Sequence, residues 1–184
     1  MNQRFTILHI LSLLLIGFTL ITCSQDPLPK PSQTGQNTFG CLINGNAYVP
    51  DGGPPFSGIR PIVGGFSRIY NSSNITRGIY ITTYAKDKQR VDLYLSKYTL
   101  GQHSLNFTTG VSPAALTPKD YGLYVASNGD EYVTSVKHTG WINLARADTT
   151  TGVVAGTFEF IAATPDGRTI KVTNGRFDVN ARTQ

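Results

Sequence analysis

The feature that most constrains this fold is a two-armed alternating stretch in the last third of the chain. From Gly156-Thr157-Phe158-Glu159-Phe160 to Ala162, the apolar Phe158, Phe160 and Ala162 alternate with Thr157, Glu159 and Ile161, the period of a strand with one buried face. Thr164-Pro165-Asp166-Gly167 then suits a tight reversal, because proline presets one backbone angle and glycine accepts positive φ. Thr169 to Val179 returns as the second arm of a β-hairpin. On that arm Ile170 and Val172 keep one parity and Phe177 and Val179 the other, so one extra residue has to be absorbed at Asn174-Gly175. A bulge there explains the change. An Asn-Gly hairpin turn is the alternative, and it leaves a closing arm of only about five residues.

The same alternation recurs upstream. Asn37 to Pro50 reads as two short strands about an Asn44-Gly45 turn, a two-residue loop that sets Ile43 opposite Asn46 and Cys41 opposite Tyr48. Asp51 to Gly58, with paired glycines and prolines, is a loop, and Ile59 to Tyr70 resumes strand character broken by Gly64-Gly65 before a turn at Asn71 to Asn74. Gly78 to Tyr84 and Arg90 to Ser96 form the clearest pair. Their apolar sets share one face only with a three-residue loop, Lys86 to Lys88, which sets Ile81 opposite Leu93, Ile79 opposite Leu95, Tyr80 opposite Tyr94, Thr82 opposite Asp92 and Tyr84 opposite Arg90.

Further strands follow at Gln102 to Thr108, at Tyr121 to Ser127 and Glu131 to Val136 around Asn128-Gly129-Asp130, and at Gly140 to Leu144 before a Thr-rich loop, Arg146 to Gly152. Val111 to Asp120 has room for one helical turn or none. With no stretch of ten residues at helical period, the chain is all-β: an antiparallel β-sandwich or barrel of about nine to ten short strands.

The 184 residues divide into three parts. Residues 1–22 carry Arg4 and then a mostly apolar run from Phe5 to Ile21, the pattern of a signal peptide; the run is short for a membrane span and contains His9 and Ser12. Leu20-Ile21-Thr22-Cys23 resembles a bacterial lipobox, which implies acylation of Cys23. Residues 23–36, with Pro27, Pro29 and Pro31 among polar neighbours, read as a tether able to hold a domain roughly 40 Å from a bilayer at about 3.1 Å per residue. Residues 37–184 then form a single domain, large enough to bury roughly 68–70% of the surface of its unfolded chain.

Cys23 and Cys41 are the two cysteines, so acylation of the first leaves the second without a partner and excludes a disulfide framework. Cys41 alternates with Phe39 and Ile43 and reads as a buried structural thiol. Without the leader, fifteen basic residues (sixteen less Arg4) face eleven acidic ones, a net charge of about +4, and no two basic residues are adjacent. The pattern fits a mildly basic solvated surface better than a nucleic-acid partner, since phosphate binding needs a concentrated basic patch.

Two blocks resemble a family of Bacteroidetes-type lipoproteins known as a domain of unknown function. They are Asn37-Thr38-Phe39-Gly40-Cys41-Leu42-Ile43-Asn44-Gly45, following the lipobox and the Pro-rich segment, and Gly156 to Phe160 with Asn174-Gly175-Arg176-Phe177-Asp178. The resemblance implies a lipid-anchored, all-β envelope domain of the outer membrane, facing either the periplasm or the outside. It carries no catalytic residues. Asp148-Thr149-Thr150 resembles the O-glycosylation acceptor of these bacteria, with Thr149 as the acceptor.

Catalysis finds little support in the residues. His103 and His138 lack metal-pair spacing, Asn128-Gly129-Asp130-Glu131 is too short for a calcium loop, and no nucleophile or phosphate-loop pattern occurs. Glu159 and Asp178 share a hairpin, but parity places both among outward residues, so they read as solvated surface. No catalytic residue, metal or cofactor is assigned. The candidate ligand face is Tyr80, Tyr84, Arg90, Asp92 and Tyr94, where flat rings beside hydrogen-bonding groups suit a glycan or a peptide segment of an envelope protein. Trp141 reads as core.

Overall fold

In a computed structural model, residues 26–71, 74–107 and 119–184 are described, and side chains are not described for residues 68–76. The leader, Cys23 and most of the 111–120 segment lie outside the described residues, as do the two central residues of the turn between Asn71 and Asn74. Eleven strands are formed: β1 (Thr38–Ile43), β2 (Asn46–Tyr48), β3 (Ile62–Asn71), β4 (Asn74–Thr83), β5 (Arg90–Leu95), β6 (Gly101–Leu105), β7 (Tyr121–Val125), β8 (Glu131–Val133), β9 (Gly140–Asp148), β10 (Val153–Ala163) and β11 (Thr169–Asn180).

All pairings are antiparallel, and one sheet runs β2-β1-β11-β10-β8-β7-β5-β4-β3. One edge of the long β10 is shared: β9 pairs along Val153 to Phe160 and carries β6 on its far side, whereas β8 pairs at Ala163. The sheet curls into a half-barrel, and residues from its two ends meet. Tyr48 Oη on β2 lies 2.8 Å from Thr83 Oγ1 on β4. After β11, Gln184 Oε1 accepts the Gly64 N–H of β3 at 2.8 Å. The curl wraps one apolar core.

Local sequence sets the register as the alternation predicts. Ile43 faces Asn46 and Cys41 faces Tyr48, with Asn44 and Gly45 both at positive φ in the two-residue turn. The β4–β5 pair has Ile79 opposite Leu95, Tyr80 opposite Tyr94, Ile81 opposite Leu93 and Thr82 opposite Asp92. Ala85 and Gln89 flank the three-residue loop through an N–H to carbonyl bond of 3.0 Å.

The extra residue on β11 is a bulge. Across to β10, Phe158 pairs with Gly175 and Phe160 with Val172; across to β1, Gly40 pairs with Arg176 and Leu42 with Thr173. Both ladders thus slip at the same place, beside Asn174 at φ 53°. The backbone N–H of Asn174 donates to Glu159 Oε1 at 3.1 Å, which satisfies a donor that the bulge removes from the ladder.

Phe158, fully buried, centres the core: its ring lies 5.2 Å from Phe39, 6.3 Å from Phe160 and 6.2 Å from Phe177. Burying each such ring contributes about 1.5–3 kcal/mol. Cys41 is also fully enclosed, and burial pushes its thiol well above the usual range, the state of an inert thiol.

Three expectations are corrected. Gly64-Gly65 does not break its strand; β3 runs through both, because a Cβ on Gly65 would come within 2.4 Å of Ala181 Cβ and one on Gly64 within 2.7 Å of the Tyr80 carbonyl. The Pro-rich segment is not a free tether from Asp26 onward. It lies docked on the outer face of β1 and β11. Asp178 is not solvated either, being 1% exposed beneath that segment.

Candidate functional site

The outer faces of β4 and β5 bring the tyrosine group together, but they do not present it as an open platform. Tyr80 is exposed, Tyr84 and Arg90 are half-buried, and Asp92 and Tyr94 are buried. The Tyr94 ring stacks on Tyr121 of β7 at 5.9 Å and 14° between planes. Arg90 Nε sits 3.1 Å from Asp92 Oδ2. Desolvation nevertheless outweighs that charge, so the Asp92 carboxyl is raised to about 6, and burial pushes the Tyr121 hydroxyl up to about 12. Tyr84 and Arg90 line a small hollow of about 210 Å³ beside the loop at Gly53 and Ile59. Of the five, Tyr80 is the most exposed, at 37%.

A larger site forms where the sequence suggests a tether. Pro27, Pro29 and Pro31 have no N–H to satisfy, so the segment can cross a sheet face without joining its ladders. Leu28 is buried, and Pro29 lies against Gly40, where a Cβ would sit 2.6 Å from Pro29 Cδ. The Asp178 carboxylate accepts backbone N–H bonds from Thr34, Gly35 and Gln36 at 3.1, 2.7 and 3.2 Å. Arg146 Nη1 donates to the Gln33 carbonyl at 2.7 Å, and Asn37 Oδ1 accepts the Asn180 N–H at 2.8 Å. Asp26 pairs with Arg176, and that hydrogen bond holds its carboxyl below the usual carboxylate range.

Between segment and sheet lie two adjoining hollows of about 380 and 480 Å³, which share Pro31, Thr157 and Arg176. The first is completed by Lys30, Gln33 and Asn143, the second by Asp26, Trp141, Glu159 and Asn174. Arg176 Nε is buried and has no hydrogen-bond partner among the described residues. Trp141 is half-buried on this face, opposite Glu159, and not a core residue. Its outward parity next to buried Ile142 was the one signal that could have placed it.

Glu159 and Asp178 do not act as a pair. Asp178 faces Ala155, four residues along β10 from Glu159, a separation of roughly 13 Å at strand rise, and each carboxylate is committed to backbone N–H groups. Thr149 is exposed at the tip of the β9–β10 turn, next to Asp148, whose carboxylate accepts the N–H groups of Thr150 and Thr151. His103 Nε2 meets the Thr99 carbonyl, and His138 closes a turn with Ser135. Among the described residues, no group of three or more His, Cys, Asp or Glu is placed to hold a metal ion.

Residues 68–179 match the family model of a domain of unknown function, DUF6252. The chain belongs to the DUF6252 family. The DUF6252 match runs from within β3 into β11, so it includes the Gly156–Phe160 and Asn174–Asp178 blocks and Trp141, and leaves β1, β2 and the docked segment before it. No curated protein and no solved structure matches the chain.

Proposed function

We propose that this DUF6252 chain is an outer-membrane lipoprotein of the Bacteroidetes type, anchored through acylated Cys23, whose all-β domain serves as a non-catalytic module binding a glycan or an envelope protein. The apolar run ending in Leu20-Ile21-Thr22-Cys23 supports the anchor.

The observation that carries the binding reading is the pair of hollows meeting at Arg176. Their volumes fall within the roughly 300–1,000 Å³ typical of small-molecule sites. Trp141 offers an indole face on which a sugar ring can lie, and Thr157, Asn143 and the guanidinium of Arg176 offer directional polar groups. The engagement of Glu159 by a backbone donor supports a site that holds its ligand without transforming it.

Trp141 is the chain's single tryptophan, so its fluorescence reports on the hollow directly. Titration with oligosaccharides released from the producing cell's envelope should give a saturable change, weakened by roughly tenfold in Arg176→Gln, the worth of one charged hydrogen bond. A flat titration across neutral and acidic fractions would contradict glycan binding and favour a role in envelope assembly.

A further inference from the structure

We infer that the docked N-terminal segment holds the outer face around Trp141 against the headgroups of the bilayer that carries the anchor. This rests on the proposal that Cys23 is acylated. The argument is one of chain length. A free segment up to Gln36 would allow a stand-off of roughly 40 Å. The segment is held at Asp26, through its pair with Arg176 and the Asp26 Oδ1 bond to the Leu28 N–H. Only three residue steps then separate Asp26 from Cys23, a reach of roughly 10 Å even when fully extended.

The surface within that reach is the rim of the larger hollow, where Asp26, Trp141, Glu159 and Arg176 come together. Its composition suits a headgroup layer. Trp141 is a half-buried indole with an apolar body and a polar N–H, the residue type favoured at membrane interfaces. Lys171 is exposed and pairs across the ladder with Ile161, which is 42% exposed on the same outer face, so a cation and an apolar side chain stand side by side. A lysine there can reach lipid phosphates while its stem rests on apolar surface. The lipid layer would then form one wall of the proposed binding site.

The test uses the acylated protein extracted from its own membranes and reconstituted into phosphatidylcholine vesicles containing a lipid with a nitroxide on its headgroup. Flotation of the vesicles reports anchoring, and Trp141 emission reports distance. The expected result is that the protein floats and loses most of its tryptophan emission. Inserting a Gly/Ser linker of roughly 15 residues between Gln25 and Asp26 lengthens the link without touching the fold, and it should restore most of the emission. A floating protein with undiminished emission would overturn the apposition while leaving the anchor intact. Equal quenching with and without the inserted linker would overturn the role given to the docked segment. Failure to float would overturn the anchor, and this inference with it.

Discussion

The carboxylate of Asp178, on β11, accepts the backbone N–H of Gly35 at 2.7 Å across a separation of 143 residues. With the flanking bonds from Thr34 and Gln36 it turns a Pro-rich stretch into part of the folded domain. Replacing Asp178 with Ala should free residues 34–36. Because those N–H groups can hydrate once the segment lifts, the cost is limited to about 1–3 kcal/mol and not three full bonds. Amide exchange checks it: residues 34–36 should be protected in the parent chain and exchange freely in the variant, while β10 and β11 keep their protection.

A steric route to the same state starts at Gly40. A Cβ there would meet Pro29 Cδ at 2.6 Å, outside the core, in a ring that cannot swing aside. Gly40→Val should therefore lift the segment near Leu28 and Pro29. The readout is faster exchange of the Leu28 amide, with stability to chemical unfolding lowered by about 1–3 kcal/mol, the worth of the burial that Leu28 loses.

How much of this was readable in the residues follows from what each pattern encodes. Period-2 alternation reports which side of a strand faces inward, and it placed Phe158, Ile81 and Leu93, the β4–β5 register and the Asn174 bulge correctly. It does not report what covers the other side. Asp178 has the outward parity that the alternation predicts but not the solvated environment, since its cover is a polar, proline-rich segment whose one buried apolar side chain is Leu28. Asp92 and Tyr94 show the same failure: outward by register, yet buried among their neighbours. Gly64 and Gly65 signal close backbone approach, but the approaching residues lie 116 positions away at Ala181 for Gly65 and on the adjacent strand for Gly64, and composition does not distinguish that from a strand break.

Buried Asp92 makes stability depend on pH. Its carboxyl titrates near 3.8 when unfolded and is raised to about 6 in the fold by desolvation, against the pull of Arg90. Between those limits the native state binds more protons than the unfolded chain, so stability falls as pH rises, by about 3 kcal/mol across the window. Urea unfolding measured from pH 4 to 7 should show that decline. Asp92→Asn should flatten it, leaving the variant at least as stable as the parent at neutral pH.

Tyr94 and Tyr80 face each other across β4 and β5 but differ in environment, at 5% and 37% exposure. Tyr94→Ala removes a buried ring stacked on Tyr121 and should cost about 2–4 kcal/mol. Tyr80→Ala should cost less than about 1 kcal/mol. Thermal unfolding of the two variants separates a structural tyrosine from one free to meet a partner.

The intact mass of the protein extracted from its native membranes tests the central claim, a domain anchored through Cys23, most directly. The account predicts a chain beginning at Cys23, heavier than its sequence by the attached acyl groups, and loss of both modification and membrane retention in Cys23→Ala. An unacylated chain, or one that still carries residues 1–22, would contradict it.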